Sequence, residues 1–288
     1  MLFVPFLISG LGVGAVYALS ALGLVVLFRA TGVLNFALGA VGAMGAFVAW
    51  QVVDWGGGIF LAVVAAIGTS TSLNVIYGRF LAPFISQRDI VVRAIGTLAL
   101  ALVLLSVIGT VWGSMPRSLS LPGDSIFFTL GGVRFNMTQL AALCLAGLMV
   151  IGVALFLSYT RVGLDMRALA DERDLSAILG VRVLRTETVA WAISGAFAGI
   201  AGLLLSDLVR LQAEFLTLLV IPAIAAAIFG QLRILWVTLI AGIGMGEIEA
   251  LLTPIASVSS FRAAAPYLIA LGFVAVMSIF YRNNLKER

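Results

Sequence analysis

The sequence has no histidine, one cysteine and few charges, and each shortage removes a class of chemistry. With Cys144 alone and no histidine, an intrachain disulfide, a His/Cys zinc site and Ser-His-Asp or Cys-His nucleophilic catalysis are all excluded. Charged residues make up 10% of the 288 and hydrophobic ones 62%. Soluble domains average about 25% charged. So few charged side chains cannot cover a water-facing surface, and the chain reads as an integral membrane protein. At about 20 residues per transmembrane helix, it holds about eight to ten spans and leaves no room for a soluble domain of ordinary size. The net charge of +4 is better read as a topology signal than as a sign of nucleic acid binding. The N-terminal MLFVPFLISG lacks a basic n-region and a small-residue cleavage site, so it is expected to begin a retained helix and not a signal peptide.

What is present is apolar and helical in pattern. Hydropathy predicts an all-α, polytopic bundle forming one transmembrane domain over 1–288. It has about nine spans, near 5–28, 33–53, 58–77, 91–113, 138–159, 188–207, 215–231, 234–252 and 264–281. The seventh is short and contains Pro222, so a broken or re-entrant helix is expected there. The segment 79–90 is expected to form a short interfacial helix. With the N-terminus outside, thirteen Lys and Arg fall inside and four outside (Arg117, Arg134, Arg210 and Arg262), which favours this orientation and a cytoplasmic C-terminus. The largest outside loop, 114–137, holds Pro116, Pro122, Gly123, Gly131 and Gly132 with short β-like runs, and is expected to be a small ordered periplasmic cap.

Glycines recur at helical spacing: Gly10 and Gly14, Gly195 and Gly199, Gly242 and Gly246, with Gly39, Gly42 and Gly45 at spacing three. Small residues so placed let helix backbones approach in lipid, so they predict close bundle packing. Intramembrane polar residues are the candidates for a translocation path: Asn35, Glu247 and Glu249. A buried structural acceptor is the competing reading for Glu249. Two residues apart on a helix, the two glutamates point about 200° away from each other and cannot share one narrow path. The cluster Thr69, Ser70, Thr71, Ser72 and Asn74 is expected to back-bond to its own helix, and Cys144 to be a small buried apolar residue. Arg29 reads as a topology anchor, and Arg117, Arg134 and Arg210 as solvated loop charges.

The most polar stretch is 160–187, placed in the cytoplasm by the orientation above. Within it Leu175, Ile178 and Leu179 lie on one face of a short helix that Asp171 is expected to cap, and Gly180 is expected to end that helix in a left-handed conformation. A helix this short is marginal in water and needs something to pack against. An interfacial helix on lipid headgroups and a docking helix for a cytoplasmic protein both fit.

Four blocks in register make the chain resemble a known family. They are Gly10-x-x-x-Gly14-Ala15-Val16-Tyr17-Ala18-Leu19-x-Ala21-Leu22-Gly23; Gly32-Val33-Leu34-Asn35-Phe36-Ala37-x-Gly39; Thr160-x-x-Gly163-x-x-Met166-Arg167-Ala168 through Asp171 to Leu179-Gly180-Val181; and Ile193-Ser194-Gly195-Ala196-Phe197-Ala198-Gly199-Ile200-Ala201-Gly202. The run Leu130-Gly131-Gly132-Val133-Arg134 is similar too. The chain resembles the LivH/LivM-type permeases of ABC importers, the branched-chain (hydrophobic) amino acid transport family, and is more like LivH. It departs from the family pattern at Leu38, where histidine is usual, at Phe229-Gly230-Gln231-Leu232-Arg233, where a Gly-Gly-x-Gly-Ser turn is common, and at Tyr281-Arg282-Asn283-Asn284, which replaces Arg-Pro-x-Gly.

The resemblance implies a permease with no enzymatic site and no cofactor of its own, in a bacterial inner membrane. The chain has no Gly-x-x-x-x-Gly-Lys-[Ser/Thr] phosphate loop, so ATP and Mg would sit on two separate cytoplasmic ATPase subunits. The other partners implied are a second permease, either a LivM-like paralogue or another copy, and a periplasmic substrate-binding protein. The 160–187 loop would couple to the ATPase. Gly163 and Gly180 would flank the lever, Arg167, Ala168 and Asp171 would belong to its anchor, and Leu175, Ile178 and Leu179 would pack it. Urea, short amides or aromatic acids are alternative cargoes on the same scaffold. A stand-alone secondary transporter using Glu247 or Glu249 is a reading of another class. An intramembrane enzyme finds no convergent catalytic set.

Overall fold

Helix α1 (Val4–Thr31) is apolar on every side, and a helix of that kind must be enclosed by protein or lipid. Here protein encloses much of it: from Val16 to Leu27 it is almost wholly buried, packed on α12 (Leu235–Leu252), α9 (Val183–Leu208), α11 (Val220–Phe229) and α6 (Met137–Tyr159). The computed structural model describes residues 4–119, 127–130, 133–218, 220–253, 264, 267–269, 271–272 and 275. Around the central helix stand α2 (Leu38–Asp54), α3 (Ile59–Ile76), α5 (Ile90–Trp112) and α10 (Ala213–Leu218). Six helical stretches among the described residues are long and apolar enough to cross a membrane: Ser9–Thr31, Ile59–Ile85, Ile90–Trp112, Met137–Tyr159, Val183–Leu208 and Leu235–Leu252. The apolar stretches Leu38–Asp54 and Ala213–Phe229 are shorter. The last expected span, 264–281, lies mostly outside the described residues. Large apolar side chains on the outer faces of α3, α5 and α6, among them Phe60, Leu61, Leu98, Leu102, Leu148 and Leu155, are exposed as lipid-facing helices require.

Glycine sets the helix spacing. A Cβ on Gly246 would lie on the backbone of Gly14, one on Gly242 on that of Ala18, and one on Gly10 would reach Glu247 and Ala250. These are the α1–α12 seam. Gly195 and Gly199 press in the same way on Ile67, Ser70 and Thr71 of α3, and Gly42 meets Gly202 where α2 crosses α9. The expected role of these glycines is therefore met. Ser70 departs from its expected one: its hydroxyl donates to the Val41 carbonyl of α2 (3.0 Å), across the helix gap that Gly45 leaves open, and not to its own helix.

The expected interfacial helix over 79–90 is not separate. Helix α3 runs on through a π-helical turn, Tyr77–Leu81, into α4 (Ala82–Ile85). Trp191 of α9 packs against this turn. Its indole lies against Gly78, where a Cβ would clash, and its ring sits 5.0 Å from that of Tyr77. The wider turn fits the backbone around that ring. At the other end of the bundle, the Arg117 guanidinium covers the Trp50 ring (3.9 Å), donates to the Trp112 carbonyl (2.8 Å), and its backbone pairs with Leu211. Arg117 is thus a structural staple rather than a solvated loop charge. In the expected cap, β1 (Phe127–Leu130) and β2 (Val133–Asn136) form an antiparallel hairpin, with Phe127 opposite Asn136. Cys144, expected to be buried, is exposed on the outer face of α6 because it falls between the inward-facing Ala142 and Ala146.

Candidate functional site: a docking corner and an intramembrane carboxylate

The expected lever is two helices, α7 (Arg161–Asp171) and α8 (Arg173–Ile178). Thr160 caps α7: its hydroxyl accepts from the Gly163 amide (3.0 Å) and donates to the Phe156 carbonyl (2.7 Å). Gly163 is buried in the α6–α7 corner, where a Cβ would strike the Phe156 carbonyl and Leu157. Asp171 does not cap the next helix. It is the last residue of α7, because the Glu172 amide still bonds back to Ala168 (3.0 Å), and the break falls at Glu172, whose backbone is extended. Gly180 does have the left-handed backbone expected of it, at φ +91°. Its amide bonds the Ala177 carbonyl and the Val181 amide bonds Ser176, which is a Schellman closure of α8.

Leu175, Ile178 and Leu179 form no part of the core. They are 53%, 82% and 77% exposed. The opposite side of α8 is held down. Arg173 gives two N–H bonds to Glu187 Oε1 of α9 (3.1 and 2.8 Å), and Glu187 is nearly buried. Sequence spacing did not expose this pair, which joins a loop residue to the first turns of a transmembrane helix fourteen positions on. It also means that 183–187, expected to be loop, already belongs to α9.

Arg167 and Asp171 line a cavity of about 460 Å³ with Phe28, Arg29, Thr31, Arg93, Arg173 and Arg233. The ends of α1, α5 and α12 therefore meet α7 at one pole of the molecule, and that pole carries the arginines placed inside by the charge count. Arg29 is held there by the Arg233 carbonyl (3.4 Å).

The intramembrane candidates separate. Tyr17 donates to Glu249 (2.7 Å), so α1 and α12 are joined by a hydrogen bond as well as by glycine contact. Both residues line a cavity of about 280 Å³ whose walls include Val13, Leu205, Leu208, Phe215 and Thr253. Glu247 is not among those lining it, and its Oε2 is buried without a hydrogen-bond partner. The divergent directions expected of the two glutamates are what the helix shows. Asn35 is fully buried in the break between α1 and α2, where its Oδ1 accepts from the Ala37 amide (3.0 Å). Thr97 of α5 closes the same break, its hydroxyl accepting from the Phe36 amide (3.1 Å) and donating to the Ala94 carbonyl of its own helix (2.8 Å). Asn35 lines neither of these two cavities.

The described residues thus form a helical bundle with a glycine-packed centre and an arginine-lined polar corner. The sequence profile of the family described as "Branched-chain amino acid transport system / permease component" matches residues 6–280, and the chain belongs to that family. Among its relatives is the branched-chain amino acid transport permease LivH of Methanocaldococcus jannaschii, 31% identical over 251 residues and covering 82% of this chain and 76% of that one. The high-affinity permeases LivH of Salmonella typhimurium (23% identical; 86% of this chain, 85% of that one) and BraD of Pseudomonas aeruginosa (24%; 85% and 84%) are similar over nearly the same span. A solved metal-chelate type ABC transporter in an inward-facing conformation has a looser likeness, with TM-score 0.48, 16% identity, and 97% and 85% of the two chains covered. The protein is a multi-pass membrane permease of the branched-chain amino acid transport family, as its four sequence blocks indicated.

Proposed function

We propose that this chain is one of two permease subunits of an ABC importer in a bacterial inner membrane, with its N-terminus outside, C-terminus in the cytoplasm and α7–α8 as the ATPase-coupling element. The observation that carries this is the exposure of Leu175, Ile178 and Leu179 on a helix whose other side is anchored by Arg173 and Glu187. Apolar side chains presented on an anchored scaffold at a polar end are what a groove in another protein takes up. ATP and Mg belong to two partner ATPases, and movement of α8 reaches the bundle through Glu187 on α9 and through α7 at the foot of α1. Gly163 and Gly180 bound the moving segment. A LivM-like paralogue or a second copy completes the pathway, and a periplasmic binding protein delivers cargo at the end that holds the 114–137 loop.

The cargo we propose is a branched-chain or similarly hydrophobic amino acid, as named for the relatives above. Physical support comes from the cavity beside Glu249. Its walls are mainly apolar, its volume of about 280 Å³ sits near the lower end of small-molecule sites, and its carboxylate suits an ammonium group. Urea or a short neutral amide would leave the apolar wall unused.

The test is uptake of labelled leucine into proteoliposomes holding this chain with its ATPase and second permease, fed by the binding protein. Glu249→Gln is expected to lower uptake about tenfold while leaving assembly intact. ATP-driven uptake of urea without leucine uptake would overturn the cargo. Leucine uptake with no ATPase present would overturn the importer itself.

A further inference from the structure

The arginine-lined cavity at the α7 pole gathers more guanidinium groups than the coupling roles of Arg167 and Asp171 account for. Five guanidinium groups, Arg29, Arg93, Arg167, Arg173 and Arg233, face it with the single carboxylate of Asp171. Arg173 is already engaged by Glu187. Three of the remaining four have weak or incomplete partners. Arg29 and Arg93 reach backbone carbonyls at 3.4 and 3.3 Å and Arg167 one at 3.5 Å, while the Nε–H groups of Arg93 and Arg167 are buried without a hydrogen-bond partner. Such an array repels itself unless an anion lies within it.

The position narrows the anion. Arg29 is in the last turn of α1, Arg93 in the first turn of α5, and Arg233 just ahead of α12. Three of the helices long and apolar enough to cross a membrane thus have their ends around this cavity, and basic pockets between such helix ends suit anionic headgroups. Arginine forks bind phosphate oxygens in bidentate pairs, which chloride cannot offer, and one phosphate has enough oxygens to engage several guanidinium groups at once. The wall is completed by the Gly230–Ile234 turn, where Gln231 and Leu232 are held at φ +53° and +55°. That strained backbone carries Arg233 into the cavity.

We propose that this cavity binds a phosphate group, carried by an anionic phospholipid headgroup or free in solution, and that the bound phosphate ties α7 to the feet of α1, α5 and α12. The site takes no residue from the exposed face of α8, so the inference rests on the coupling reading only for its consequence. An anion bridging Arg167 to Arg29 and Arg93 stiffens the joint between the lever and the bundle. Asp171, the one acid on the wall, competes with it.

The experiment uses the full chain in a neutral detergent, titrated with dioctanoyl-phosphatidylglycerol, dioctanoyl-phosphatidylcholine or inorganic phosphate, with bound ligand read by native mass spectrometry. One saturable phosphatidylglycerol or phosphate per chain is expected, with no saturable phosphatidylcholine. Arg29→Gln and Arg167→Gln each weaken binding about tenfold. Asp171→Asn strengthens it severalfold, a gain that misfolding cannot produce. Retention of phosphatidylglycerol but not phosphate assigns the site to a lipid, and equal binding of the two assigns it to a soluble anion. Binding that is absent, or unchanged in all three variants, overturns the proposal. Because no ATPase takes part in the titration, that failure leaves the coupling reading standing.

Discussion

The α1–α12 seam and the end of α8 both depend on glycine, for opposite reasons. At the seam, Gly14, Gly242 and Gly246 serve by lacking a side chain: any Cβ there would occupy the backbone of the facing helix. Gly180 has open space around it, with nothing within 4 Å of where a Cβ would stand, and serves through a backbone angle that other residues rarely adopt. One glycine use holds the bundle together in lipid, where close approach is the main source of helix association. The other shapes a surface element whose apolar side chains are exposed. Damage to the first should therefore be felt as loss of the protein, and damage to the second as loss of work from an intact protein.

That contrast can be broken in order of effect. Gly246→Leu should cost about 3 kcal/mol or more through overpacking and prevent recovery of a monodisperse chain in mild detergent. Normal recovery would mean that the seam is not packed as described. Gly180→Val should leave insertion and melting temperature nearly unchanged, because its strain of about 1–3 kcal/mol is confined to the end of α8. Substrate-stimulated ATP hydrolysis by the assembled importer should nevertheless fall severalfold. Wild-type coupling in that variant would remove the lever role of Gly180. Glu187→Gln weakens the anchor of α8 and should raise hydrogen exchange over 173–181 by an amount corresponding to about 1–3 kcal/mol, with α1 and α12 unaffected. The smallest effect is expected at Leu232→Gly, which relieves a left-handed non-glycine residue and should raise the melting temperature slightly.

The membrane spans were legible because they depend on local composition. Four of the expected spans coincide within a few residues with helices long enough to cross the bilayer, 58–77 does so apart from its extension to Ile85, and α9 does so once its earlier start at Val183 is allowed for. The glycine pairs and the left-handed Gly180 were legible because spacing and backbone preference act over a few residues. What escaped is tertiary. The π-helical turn that carries α3 on to Ile85 packs on Trp191, more than a hundred positions away, and the buried Glu187 pairs with Arg173 on another element. Tyr17 was visible as part of a family block, but its link to Glu249 spans 232 positions. The arginine cavity gathers side chains that sequence reading had counted only as inside charges. Asp171 was misplaced as a cap by one residue, a shift that only the Glu172 backbone bond decides.

The central claim is that α8 meets an ATPase through Leu175, Ile178 and Leu179. The direct measurement is co-purification of the partner ATPase with the full chain in mild detergent, comparing wild type with an Ile178→Asp, Leu179→Asp double variant. Stoichiometric ATPase on the wild type, lost on a variant that stays monodisperse with the same melting temperature, is the predicted result. Equal retention by both would contradict the assignment of α8 as the docking helix.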